Sequence, residues 1–187
     1  MDRSLLIAGA TGLVGSAVLS SARLDEFFSR IIVLTRREIP EMDESSRIAQ
    51  RVVDFSRLDE YYESLAAHTV VCALGTTAKK AGTKERFFTV DYEYPLQLAR
   101  IALSQGARHF ILVSSVGANP RAGNFYLSMK GNLENEIAEM GYENLDILRP
   151  SLLLGKRTEF RFAECIGQRV APALSFLLPE RYRPIEV

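Results

Sequence analysis

The stretch Ser4-Leu-Leu-Ile-Ala-Gly9-Ala-Thr-Gly12-Leu-Val-Gly15 decides the fold. Its first half, Ser4–Gly9, is an apolar run without polar alternation, the pattern of a strand buried on both faces. Its second half spaces three glycines as GxxGxxG, and a helical period runs on from about Gly12 to Arg23. A strand that turns through glycines into a helix is the context in which such glycines hold a dinucleotide. Gly9 permits the tight turn, Gly12 lets backbone approach a pyrophosphate, and Gly15 lets the helix pack close to the sheet. The phosphates would lie at the positive end of that helix, beside Thr11, Leu13 and Val14. Residues 5–19 are also uncharged enough to imitate a signal peptide. The single Arg3 is offset by Asp2, however, and the stretch is too short and too glycine-rich to span a bilayer. Neither a secreted chain nor a membrane partner is expected.

Outward from this stretch, strands alternate with helices. Ile31–Thr35, Arg51–Phe55, Thr69–Leu74, His109–Val113 and Leu145–Leu148 read as five more strands. Leu58–Leu65 reads as a short helix, Arg86–Gln105 as a long one closed by Gly106, and Phe125–Met140 as another closed by Gly141. The pattern predicts a doubly wound α/β domain: a parallel sheet with helices on both faces, the three-layer Rossmann fold. With 187 residues there is room for one domain, 1–187, with a small substrate-side region from about residue 151. An amphipathic helix is expected over Glu159–Leu178, broken near Pro172. The chain stops at Arg183–Val187, which reads as the start of an element and not the end of one.

Composition removes several classes of function. Apolar residues make up 47% of the chain, enough for a core, while 23 basic and 23 acidic residues cancel. The basic footprint of a nucleic-acid binder is therefore absent. Two cysteines, Cys72 and Cys165, form no CxxC, so a disulfide scaffold is not expected and a reducing, cytoplasmic setting is. Two histidines exclude a His-rich metal centre, and no metal is expected.

Further along, the end of the second strand carries Arg36-Arg37, where a site preferring NAD places a carboxylate for the ribose 2′-hydroxyl. A guanidinium fork suits a 2′-phosphate instead, which favours NADP(H) over NAD(H). Asp54-Phe55, after the third strand, would meet the adenine. Leu74, Gly75, Thr76 and Thr77, after the fourth, would line the adenosine and pyrophosphate channel. Tyr126 and Lys130 stand four residues apart on a helix, hence on one face. A lysine ammonium one turn from a tyrosine favours the phenolate and suits it to acid–base work. Ser114-Ser115 ends the fifth strand at the sheet edge where such folds bind ligands. Other residues read blandly: Cys72 as a buried small hydrophobe, His109 as structural, Lys79, Lys80 and Lys84 as a basic loop, and the Phe27-Phe28 and Phe87-Phe88 pairs as helix anchors.

The combination GATGLVG, SSVGAN, YLSMK and LRPSLLLG resembles the short-chain dehydrogenase/reductase superfamily. CALGTT followed by KAG, with VDYEY and KGNLE, is similar to its atypical group around the Tat-interacting oxidoreductases. The resemblance covers residues 4 to about 155 and implies an NAD(P)-binding Rossmann domain. It further implies Ser115, Tyr126 and Lys130 as substrate-orienting serine, proton donor/acceptor and ribose-binding lysine, with Pro150 and Leu153 near the nicotinamide carboxamide. Ser115 precedes Tyr126 by a tighter gap than in typical members, which leaves open whether Ser114 or Ser115 faces the substrate. The expectation is an NADP(H)-dependent oxidoreductase acting on a small carbonyl or alcohol. An NADPH-binding regulator of a protein partner is the alternative, and a nucleotide-sugar epimerase or dehydratase the third. The substrate and the oligomeric state are not legible.

Overall fold

The computed structural model describes residues 3–40, 42, 47–151, 153–154 and 185–186. Six strands, β1 (Ser4–Ala8), β2 (Arg30–Thr35), β3 (Ile48–Val52), β4 (Thr69–Cys72), β5 (His109–Val113) and β6 (Asn144–Leu148), form one sheet in the order β3-β2-β1-β4-β5-β6. Every pair is parallel. β1 lies at the centre, with Leu6 opposite Ile32 on one side and Val70 on the other. All five β1 residues are buried, as the unalternating sequence requires.

The two sheet faces carry separate cores. Leu6, Ile32, Val70, Phe110 and Leu112 pack on Leu98, Ala102, Leu133 and Ile137. These last residues belong to helices α4 (Tyr94–Ser104) and α5 (Phe125–Ala138). On the opposite face Leu5, Ile7, Ile31 and Val33 meet Leu19 and Ala22 of helix α1 (Leu13–Leu24). Short helices α2 (Ala78–Ala81) and α3 (Lys84–Phe88) precede α4, and a parallel two-residue pair joins β7 (Leu153–Leu154) to β8 (Ile185–Glu186). The expected helix over 159–178 lies outside the described residues.

Three elements differ from the sequence reading. β3 runs over Ile48–Val52 and stops before Asp54, because the Asp54 side chain accepts the Ser56 N–H at 2.9 Å and starts a new turn. That turn opens a 310 segment, Phe55–Leu65, kinked at Arg57, where a short α-helix was expected. The long helix of 86–105 begins earlier, at Lys84, where the Thr83 side chain accepts the Arg86 N–H. It then passes through a π turn, Thr89–Glu93, before α4. A π turn inserts one extra residue into a helix and is frequent at functional sites.

Because β1 neighbours both β2 and β4, the chain leaves the carboxyl edge of the sheet in opposite directions at this point. A crevice opens there, where doubly wound sheets bind ligands.

Candidate cofactor and active site

The crevice is built from the glycine turn outward. Gly9 has φ +91°, and a Cβ on it would lie 2.4 Å from the Ala73 carbonyl oxygen, so the turn after β1 touches the turn after β4. A Cβ on Gly15 would lie 2.2 Å from the Gly9 oxygen, which brings the first turn of α1 hard against the same turn. Gly12 is the N-cap of α1, with no side chain capping the helix and no acidic residue in its first turn. The positive helix end thus faces the crevice without an anion of its own.

A cleft of about 380 Å³ opens beside it, lined by Gly9, Thr11, Gly12, Arg36, Arg37, Phe55, Leu74, Gly75 and Thr76, with Lys80 at its rim. A second cavity of about 440 Å³ adjoins it, sharing Arg36, Phe55, Val90 and Tyr94 and adding Asp54, Tyr61 and Arg86. Nine of the residues expected at the cofactor therefore meet in one cleft, with Asp54 next door. Leu13 and Val14 form the first turn of α1 beside it, and Gly15 serves its packing. The Thr77 hydroxyl accepts the Lys80 N–H. Phe55 is 3% exposed, packed on Tyr94 at 5.8 Å between ring centres, and forms the cleft floor. The exposed Asp54 carboxyl is held below the usual carboxylate range by hydrogen bonds from the Ser56 hydroxyl and N–H. Thr35, at the end of β2, lines the cleft with a buried hydroxyl that has no hydrogen-bond partner among the described residues. Such an orphan is what a ligand hydroxyl or phosphate would satisfy.

The second group lies at the ends of β4, β5 and β6. Tyr126 and Lys130 share one face of α5, whose N-cap Asn124 accepts the Leu127 N–H. Tyr126 is half-buried, its ring set edge-on to Phe87 at 5.8 Å. The loop carrying Ser114 and Ser115 is tied to β6: Ser114 N–H donates to the Leu148 oxygen and Val116 N–H to that of Pro150. Ser114 Oγ is buried without a partner among the described residues. Among the described residues, Ser115 Oγ makes only a long 3.4 Å bond to the Val116 oxygen. Neither hydroxyl is committed to a strong partner among the described residues, and Ser115 is the more exposed of the two. Leu153 lies in β7, three residues past Pro150 in sequence.

Three residues here escape the sequence reading. Asp91, in the π turn, is 2% exposed and sits at the centre of the site. Its Oδ1 lies 3.2 Å from Lys130 Nζ, its main-chain oxygen accepts from the same ammonium at 3.3 Å, and its Oδ2 accepts the Thr76 N–H at 2.7 Å. Beside this pair, burial raises the Cys72 thiol to about 11, so it stays protonated. Gly131 lets α5 touch the loop above it, since a Cβ there would lie 2.4 Å from Asn119 C and Pro120 N. Glu134, 3% exposed, takes a two-pronged ion pair from Arg149 at 3.1 and 2.5 Å. This pair holds the Arg149-Pro150 turn against α5, and the carboxylate raises the Arg149 pKa. The Arg149 side chain is 53% exposed, which weakens the pair. Glu134→Gln is expected to cost about 1 kcal/mol, read as a melting-temperature drop of about 3 °C.

A usable signal existed for two of the three. Asp91 falls four residues after Phe87 and seven before Leu98, on the apolar stripe of its helix. Glu134 follows Lys130 by one turn on a buried face. A charge on such a face must have a partner.

Known proteins agree with this frame. The HIM1 family model matches residues 24–175. The chain belongs to the HIM1 family. Protein HTATIP2 of Rattus norvegicus is 36% identical over 170 residues, covering 90% of this chain and 70% of that protein. Protein FMP52, mitochondrial, of Lodderomyces elongisporus is 39% identical over 168 residues, covering 85% of the chain and 70% of that protein. The resemblance to the Tat-interacting group is thereby borne out. Among solved structures, MoeE5 in complex with UDP-glucuronic acid and NAD matches with TM-score 0.70 at 18% identity, over 91% of this chain and 60% of that one. The oxidoreductase ylbE from Lactococcus lactis matches with TM-score 0.66 at 18% identity, over 82% and 71%. These matches establish the Rossmann-type fold, and the HIM1-family chain spans about 60% of the length of MoeE5.

One expectation is overturned. The fungal relatives are named mitochondrial proteins, among them FMP52 of Candida albicans at 38% identity, so a cytoplasmic setting does not hold. The physical reason is that cysteine scarcity argues against oxidising compartments without choosing among reducing ones. Among the described residues no helix is long and apolar enough to cross a membrane.

Proposed function

We propose that this HIM1-family chain is an NADP(H)-dependent oxidoreductase of the short-chain type, acting on a small carbonyl or alcohol. One observation carries the reading: the uncapped glycine turn of α1 and the side chains of Arg36 and Arg37 line the same cleft. The fit to a dinucleotide phosphate is good at both ends. Main-chain N–H groups of the α1 turn would hold the pyrophosphate. The guanidinium groups, which have no carboxylate partner among the described residues, would hold a 2′-phosphate. Thr35, whose hydroxyl is orphaned, lines the same cleft.

When bound, the nicotinamide supplies hydride transfer to or from a carbonyl carbon. The protein's own part is orientation and a proton. Ser114 or Ser115 would hold the substrate oxygen, Tyr126 would exchange a proton with it, and Lys130 would offer a ribose hydroxyl the N–H that Asp91 leaves unused.

A second reading, a cofactor-binding regulator of a protein partner, draws support from one fact: the Lys130 ammonium is already engaged by Asp91. Tyr126→Phe separates the two readings. A reductase loses NADPH consumption on a carbonyl panel while keeping cofactor affinity, and a regulator shows no consumption in either form.

The cofactor reading is tested by fluorescence titration with NADPH and NADH. NADPH is expected to bind at least tenfold tighter, and Arg36→Ala to remove most of that preference, as loss of a charge-assisted bond worth about 1.5–3 kcal/mol requires. Equal binding of the two forms would sink the arginine argument, and binding of neither would sink the cofactor reading.

A further inference from the structure

Asp91 plays no part in the oxidoreductase chemistry proposed for Ser115, Tyr126 and Lys130, and a role for it rests on cofactor binding in this cleft. The Asp91 and Lys130 side chains are both 3% exposed, so bulk solvent and salt screen them little. The carboxylate is held from two sides, by the Lys130 ammonium on Oδ1 and by the Thr76 N–H on Oδ2. A Cβ on Gly75 would come within 3.2 Å of Oδ1, so the glycine keeps the turn after β4 close over the carboxylate. The ammonium in turn donates to the Asp91 main-chain oxygen while its charge faces the carboxylate. Asp91 therefore ties the cofactor-cleft turn at Gly75-Thr76 to the lysine of α5 in a single geometry.

The arrangement also fixes the charge directly behind the Gly75-Thr76 turn that lines the cleft. Lys130 and Asp91 cancel, Glu134 one turn along α5 is cancelled by Arg149, and the Cys72 thiol is neutral. An oxidised nicotinamide ring is a cation and a reduced one is neutral. A lone buried ammonium beside the ring would disfavour the oxidised form, and a lone carboxylate would favour it.

We propose that Asp91 is a positioning residue that holds Lys130 and compensates its charge, and so sets the ratio in which the protein binds oxidised and reduced nicotinamide cofactor. Packing alone would move both affinities together. Charge compensation moves their ratio, and moves it in opposite directions for the two partners.

The test is to measure Kd for NADPH by fluorescence and for NADP+ by displacement of NADPH, in the full chain and three variants. Asp91→Asn should weaken NADP+ relative to NADPH by about tenfold, the size of effect a unit charge about 12 Å away exerts at an effective dielectric of about 20. Lys130→Met should shift the ratio the other way by a similar factor. The double variant should return to within about twofold of the wild-type ratio. Should Asp91→Asn fail to fold, Lys130→Met and the double variant still carry the sign and its cancellation. A ratio that stays constant while both affinities move together would overturn the proposal and leave Asp91 a structural residue. Wild-type protein that binds neither form would instead overturn the cofactor reading, and this inference with it.

Discussion

Gly15→Ala is expected to lower stability by about 2–3 kcal/mol and to abolish NADPH binding at concentrations that saturate the wild type. The added methyl group would lie 2.2 Å from the Gly9 oxygen and 2.7 Å from the Gly9 carbonyl carbon. Both are backbone atoms of the turn itself, and neither is the far end of a side chain able to swing away. Overpacking of this kind costs about 1–3 kcal/mol, and a clash with rigid backbone belongs at the upper end. The relief available is to lift α1 off the sheet, which also withdraws the open N–H groups of its first turn from the crevice. For a chain of this size the melting temperature should fall by about 5–10 °C. Gly12→Ala is the control. Its φ of −83° suits any residue, and its Cβ would meet only the Gly9 oxygen, at 3.2 Å. It should melt within about 2 °C of wild type and still weaken NADPH, because the methyl occupies the surface that a pyrophosphate would approach. A Gly15→Ala protein that melts with the wild type would show that α1 does not need so close an approach.

The two glycines show why so much of this fold was legible. Strand, turn and helix in residues 4–24 are specified by local pattern: an apolar run, a residue able to take φ +91°, and a helical period. The parallel order follows because buried strands separated by helices have few other solutions. Arg36 and Arg37 were legible because the end of β2 has a fixed place relative to the crevice. The errors came where a side chain overrode the local pattern. Val52, Val53 and Phe55 look like one strand, yet the Asp54 cap ends β3 and turns Phe55 into the cleft. Gly131 was missed for a different reason, since its partner Pro120 is distant in sequence and nothing in a helical period announces the contact. The period does mark Glu134 as a buried charge but does not name Arg149 as its partner. The setting of the protein was misread because thiol content reports redox conditions and not address.

Asp91 is the case where the missing information is energetic, and its removal should have the largest effect on stability in the chain. Asp91→Asn leaves the Lys130 ammonium buried without its counter-charge, a change that costs about 3–5 kcal/mol. The asparagine oxygen can still accept from Thr76 or from Lys130, so the loss reflects charge more than hydrogen bonding. Lys130→Met should cost a similar amount, because it leaves the buried carboxylate without the ammonium that neutralises it. The double variant is expected to behave differently from the sum. A neutral pair of similar volume needs no desolvation of ions, and replacement of a whole buried pair is often neutral or better. Urea unfolding of the four proteins should therefore give two badly destabilised singles and a double within about 1–2 kcal/mol of wild type, a coupling of several kcal/mol. Additive losses would mean that the two side chains contribute independently and that their 3.2 Å approach is not an energetic link. A stable double variant would show that the pair is not what holds α5 to the π turn. The cost of burying two charges is then left for function to explain, and the charge compensation proposed for Asp91 toward a bound nicotinamide is a function that would account for it.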